Sequence, residues 1–174
     1  DVRHDFYHTV SLERIDAGLD KDGKVVAWRH RSAAPTIAST FKPDAKHEAP
    51  FELGMGLVDL PFDVPNIRCE NPEVAAHTRI GWFRSVSNVP HAFATQSMVA
   101  EIAHATGRDP KDMLLELIGP ARIVDLGAKV KDFWNYGEPL DSYPVDTGRL
   151  RAVVELAAEK AGWGRTLPPG HGLG

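Results

Sequence analysis

The stretch FYHTVSLERIDAGLDKDGKVVAWRHR, residues 6–31, decides the fold. Its first part, 6–19, is rich in β-formers and partly alternates, with Val10 and Leu12 on one face. The alternation then passes to Ile15, Ala17 and Leu19, which predicts a bulge or a strong twist. Asp20, Lys21, Asp22 and Gly23 are turn residues, and 24–31 reads as the return strand of a hairpin. Asp20 and Asp22 resemble the start of a calcium loop, but the later ligands of such a loop are missing.

Working outward, 34–56 loses periodicity and gathers Pro35, Pro43, Pro50 and Gly54, the composition of an ordered loop. Residues 60–66 read as an extended connection into a strand at 67–71, and a further strand is predicted over 77–83. Helical patterns follow. The first covers 90–106, with Phe93, Val99, Ile102 and Ala103 on its apolar side and Gly107 as its stop. Asp109 then caps a short helix that opens with Pro110 and runs to Ile118. The third starts at Asp146 and Thr147, places Leu150, Val153, Val154, Ala157 and Ala161 at helical spacing, and ends at Gly162. The stretch 119–145 between the last two is irregular. Strands first and helices later predict an α+β fold: an N-terminal β-hairpin and short strands, then about three helices, in one domain over 1–174.

The chain has 174 residues, 43% hydrophobic and 25% charged, which suits a globular domain able to bury a core. Its net charge is −4 with basic residues scattered, so it lacks the footprint of a nucleic-acid binder. No apolar run reaches the length of a membrane span. A single cysteine, Cys69, excludes an internal disulfide and any metal site built from several cysteines of this chain. The compartment stays open. His4 and His8 share a face of an extended segment but are too far apart there to hold one ion. Ser85, Ser87 and Ser97 lack a nucleophile-elbow frame, and Gly54 and Gly56 form no dinucleotide fingerprint. Trp28, Trp82, Trp134 and Trp163 read as core or interface aromatics.

One stretch carries a chemical signal: GWFRSVSNVPHAFATQS, residues 81–97. A glycine-led turn presents Arg84 and opens directly into a helix. Backbone N–H groups at a helix start, beside a guanidinium fork, suit an anionic group.

The order of these segments resembles the molybdopterin-binding large subunit of the xanthine oxidase family. The nearest branch is that of isoquinoline 1-oxidoreductase β-subunits and related aldehyde dehydrogenases. The resemblance rests on four stretches: HDFYHTVSLERIDAGLDKDGKVVAWRHR from His4, DLPFDVPN from Asp59, GWFRSVSNVPHAFATQSMVAEIAHATGRDP from Gly81 and AAEKAGWGRTLPPGHGLG from Ala157. It implies an internal segment of a longer subunit, which fits a chain that starts at Asp1 and stops in a glycine-rich run. It also implies a molybdenum–molybdopterin cytosine dinucleotide cofactor, shared with other segments, and 2Fe–2S clusters on a partner subunit. The implied reaction hydroxylates an aldehyde or an N-heteroaromatic carbon with oxygen from water.

Arg84 matches the arginine of the family's cofactor-contacting loop, so Phe83, Arg84, Ser85 and Val86 are the expected cofactor-binding residues. Xanthine-type members carry a substrate-packing aromatic where this chain has Val86, and a purine-binding arginine near the place of Leu53. Both departures argue against a purine substrate. Gln96 stands where many members carry Glu. The family's catalytic glutamate and its glycine-rich cofactor loop fall outside this chain, so no catalytic residue is assigned and the segment alone is expected to be inactive. A non-catalytic packing and assembly domain of such a subunit, and an unrelated binding module, are the alternative readings.

Overall fold

The computed structural model describes residues 7–174. Strand β1 (Leu12–Leu19) pairs antiparallel with β2 (Val25–Ala33). The hairpin closes because the Asp20 carboxylate accepts from the backbone N–H groups of Asp22 and Lys24, each at 2.9 Å. Strand β3 (Asn66–Glu70) adds parallel to β2, giving the order β1-β2-β3. Parallel addition needs a crossover, and the long stretch 34–65 supplies it. That stretch carries a 3₁₀ turn (Ile37–Thr40) and a short helix α1 (Pro50–Leu53). The remaining elements are α2 (Asn88–Ala105), α3 (Pro110–Ile118), β4 (Ile123–Val124), a 3₁₀ turn (Asn135–Gly137), β5 (Val145–Asp146) and α4 (Thr147–Ala161). The two short strands pair antiparallel. The fold is α+β.

Three expectations are corrected. The segment 77–83 forms no strand. Its aromatic tips are held by other rings, Trp82 by Phe51 and Phe41 and Phe83 by His8, and the backbone joins no ladder. The register of the hairpin shifts between Gly18 and Leu19, beside the turn, and not where the alternation changes. The apparent change has another cause: Ile15 and Ala17 pack on the core with Glu13 in the same phase of the strand, while Val10 and Leu12 are 56% and 75% exposed. Phe93 does not join the apolar face of α2; it is 77% exposed.

The core lies where the sheet meets α2 and α3, with Val25, Trp28, Phe62, Val99, Ile102, Met113 and Leu117 buried together. Trp28 meets Phe62 edge to face at 5.5 Å. Asp109 caps α3 through the N–H groups of Lys111 and Asp112, and Asp146 caps α4 through those of Gly148 and Arg149. From α4 only Val154 packs on this core; Leu150, Val153 and Leu156 are exposed.

Gly119 ends α3 at φ 74° and ψ −163°, a conformation open essentially to glycine alone. A Cβ there would lie 2.4 Å from the Asp63 Cβ, and the Asp63 N–H is tied to the Leu117 carbonyl at 2.6 Å. Gly119→Ala is therefore expected to cost roughly 3 kcal/mol or more through clash and strain together. Soluble yield and denaturant midpoint check this; a variant as stable as the parent refutes the tight approach.

Candidate functional site

Residues 83–87 make a tight turn directly ahead of α2. Ser85 and Val86 hold φ values of 70° and 46°. For a β-branched residue such as Val86 this is a costly conformation, on the order of 1–3 kcal/mol, of the kind kept where a surrounding structure imposes it. Rings grip the turn on one side. Trp82 stacks on Phe51 with centroids 5.2 Å apart and planes 7° off parallel, and the Phe83 ring lies 4.5 Å from that of His8. Trp134 and Tyr136 extend the aromatic cluster, and Asn88 donates to the Tyr136 hydroxyl at 3.1 Å. Ser87 anchors the other side and is fully buried.

The four expected residues, Phe83, Arg84, Ser85 and Val86, thus sit consecutively on one strained turn. The Arg84 side chain is exposed and has no hydrogen-bond or ion-pair partner among the described residues. The N–H groups of Val86, Asn88 and Val89 are taken by carbonyls of the turn itself. Those of Arg84, Ser85 and Ser87 have no acceptor among the described residues. A guanidinium with open backbone donors and no carboxylate paired to it fits an anionic, oxygen-rich group. The helix start itself offers less than its sequence promised, because the turn consumes its first donors.

Behind the turn lies a buried polar cluster that the sequence did not announce. Glu13 of β1, His30 and Ser32 of β2, and His91 of α2 all face inward at the end of the sheet nearest the turn. His30 Nε2 donates to Glu13 Oε2 at 2.8 Å. The Ser32 hydroxyl faces Glu13 Oε1 at 3.0 Å, Glu48 Oε2 at 3.2 Å and His91 Nε2 at 3.0 Å. Asn71 donates to Glu48 Oε2 at 2.8 Å, and Ser87 Oγ lies 3.5 Å from Glu48 Oε1. The His91 Nδ1 faces the Met55 carbonyl at 2.9 Å, so that nitrogen carries the hydrogen. Gly56, at φ 97°, makes this approach possible: a Cβ there would stand 3.0 Å from the His91 Cβ.

Burial, reinforced by the charge of Glu52, pushes the Glu48 carboxyl up to about 8. Glu13 goes the other way. Burial raises it, but the hydrogen bond from His30, the charge of His91 and the Ser11 and Ser32 hydroxyls outweigh that and hold it below the ordinary range. Burial lowers His91. At neutral pH the cluster therefore contains an ionised Glu13, a protonated Glu48 and an uncharged His91. Burial also pushes Cys69 up to about 11, so its thiol is unreactive at neutral pH. Among the described residues no three His, Cys, Asp or Glu side chains converge on a metal position, and His4 lies outside them.

A family model described as the molybdopterin cofactor-binding domain matches residues 2–115, a range that holds the turn and the cluster behind it. The chain belongs to this family. The molybdopterin-binding domain of xanthine oxidase type inferred from the sequence is thereby supported at that level. A nicotinate dehydrogenase subunit of Pseudomonas putida is 32% identical over 124 residues, covering 68% of this chain and 10% of that protein. The membrane-bound aldehyde dehydrogenase [pyrroloquinoline-quinone] of Gluconacetobacter polyoxogenes is 29% identical over 180 residues, covering 97% of this chain and 21% of that protein. The chain thus spans a tenth to a fifth of the length of these relatives. No helix among the described residues is long and apolar enough to cross a membrane.

Proposed function

We propose that this molybdopterin cofactor-binding domain is one internal α+β portion of the large subunit of a molybdenum hydroxylase of aldehyde or isoquinoline type. Its Phe83–Val86 turn would hold an anionic part of the cofactor. The observation that carries the reading is the Arg84 turn: a guanidinium and N–H groups without partners among the described residues, held in a strained conformation, within a chain of this family. When bound, the molybdenum–pterin group supplies the redox chemistry of hydroxylation. Arg84 binds and polarises an oxygen-rich portion of it, and the backbone N–H groups of Arg84 and Ser85 add donors without reorganising. The rings of Trp82 and Phe83 fix where the guanidinium starts. The substrate class is an aldehyde or an N-heteroaromatic ring, in line with relatives named for an aldehyde and for nicotinate. Electrons would leave to iron–sulfur clusters on a partner subunit, and the pterin would carry a cytosine dinucleotide.

The pyrroloquinoline-quinone in one relative's name sets a rival cofactor beside this one. Metal analysis of the native enzyme recovered through this chain separates them. Near-stoichiometric molybdenum is expected. A clean, active enzyme without molybdenum overturns the reading. The exposed stripe Leu150, Val153 and Leu156 on α4, beyond the residues matched by the family model, favours a packing role for the C-terminal part of the chain.

A further inference from the structure

The Ser32 hydroxyl has one hydrogen and three partners: Glu13 Oε1, Glu48 Oε2 and His91 Nε2. With the His91 hydrogen on Nδ1, its Nε2 can only accept. Three acceptors cannot share one hydrogen. With Glu48 protonated, its Oε2–H donates to Ser32 Oγ, and the single Ser32 hydrogen serves Glu13 Oε1 or His91 Nε2 in turn. The arrangement runs from a surface groove at one end to the buried side of the cofactor turn at the other. Glu13, its side chain 10% exposed, lines an open groove of about 370 Å³ between β1 and α2, together with Ser11, Ile15, Pro90, Phe93 and Met98. Glu48 Oε1 faces Ser87, the residue that anchors the cofactor turn.

We infer that Glu48, Ser32 and Glu13 form a proton path from the back of the Arg84 turn to the groove between β1 and α2. The inference rests on the molybdenum hydroxylase reading, because hydroxylation of a C–H carbon with water releases two protons and two electrons at the site. The electrons go to the iron–sulfur partner; the protons need their own exit. Each transfer in the path breaks one O–H bond and makes another. Glu48 Oε1 receives a proton from the Ser87 side while Oε2–H passes its proton to Ser32 Oγ. The Ser32 hydroxyl proton moves to Glu13 Oε1, and Glu13 releases it to water in the groove. His91 Nε2 is a side branch that takes the Ser32 proton in place of Glu13. The Ser87 contact, at 3.5 Å, is the longest link. The charged and polar groups that face Glu48 act in both directions: Glu52 from α1 and Glu13 from β1 join burial in favouring its proton, whereas the hydrogen bonds from Ser32 of β2 and Ser87 ahead of α2 oppose it, and Asn71 after β3 donates to Oε2.

Glu48→Gln keeps the size and a neutral donor but cannot relay, and Ser32→Ala removes the middle link without touching the turn. In the loaded enzyme both are expected to keep parental molybdenum content, to lose at least about tenfold in turnover, which is roughly 1.4 kcal/mol of barrier, and to change the solvent deuterium isotope effect. Difference infrared spectra give a second readout: a deuterium-sensitive carbonyl stretch of a buried protonated carboxyl, present in the parent and in Ser32→Ala and absent in Glu48→Gln. Parental turnover with an unchanged isotope effect in either variant overturns the path. Molybdenum lost in step with turnover overturns it too, because Glu48 then only supports the turn. If Glu48→Gln does not fold, Ser32→Ala decides. A parent enzyme without molybdenum is the separate failure of the underlying reading.

Discussion

Arg84→Ala is expected to reduce both molybdenum retention and turnover of the native enzyme by roughly a hundredfold while leaving its unfolding unchanged. The size follows from the contact being lost. A charge-assisted, two-pronged hydrogen bond to an oxyanion is worth about 1.5–3 kcal/mol, and each 1.4 kcal/mol is tenfold. The fold should be indifferent because the side chain is exposed and unpartnered among the described residues, where substitutions typically change stability by no more than about 0.5 kcal/mol. Arg84→Lys keeps the charge but loses the planar fork, so it should fall between parent and alanine. Metal analysis, steady-state kinetics and thermal unfolding on the same preparations check this. Normal molybdenum and normal turnover in Arg84→Ala would instead make the turn scaffold and leave the domain a packing role.

The turn is legible in the sequence because its signal is local: an aromatic pair, an arginine, small polar residues and a helix start occupy consecutive positions. The hairpin and the caps at Asp109 and Asp146 are legible for the same reason, since turn and cap chemistry acts over two to four residues. The buried cluster is not, because it is assembled from residues as far apart in sequence as Glu13 and His91. Its signal is present all the same. His30 and Ser32 continue the inward phase of Trp28, and Glu13 continues that of Ile15 and Ala17. Polar residues where a strand's core phase calls for apolar ones mimic a shift in alternation, and so predict an irregularity near Glu13 when the register shifts only at Gly18 and Leu19. The strand expected at 77–83 fails for the converse reason. β-formers specify a strand only when a partner edge is available, and here Trp82 and Phe83 are held by rings instead. Phe93 and the stripe on α4 show helical periodicity working locally while the burial it usually signals is absent among the described residues.

Glu52→Ala is expected to unfold the crossover that carries the cluster, at a cost of about 3–5 kcal/mol. Glu52 is 1% exposed, and its oxygens accept from the Thr36 hydroxyl, from the Ile37 N–H at 2.7 Å and from the Ala49 N–H at 2.9 Å. All of these are donors; Thr36 Oγ1 already accepts from the Ala38 N–H, so its hydrogen points to Glu52. Removing the carboxylate orphans them in a buried setting, where an unsatisfied donor costs about 1–3 kcal/mol. Glu52→Gln should be nearly as damaging, because its amide nitrogen would face donors with another donor. Glu48→Gln provides the contrast. Glu48 holds a proton of its own, so glutamine there sets its amide against one donor, Asn71, and should cost the fold less than at Glu52, four residues on, where three donors converge. Hydrogen exchange at the Ile37 and Ala49 amides reads the effect where it arises, without requiring the whole enzyme to unfold in one step. Protection should collapse in both Glu52 variants and persist in Glu48→Gln. Unchanged protection in Glu52→Gln would mean that the carboxylate is not the acceptor that ties the 3₁₀ turn to α1.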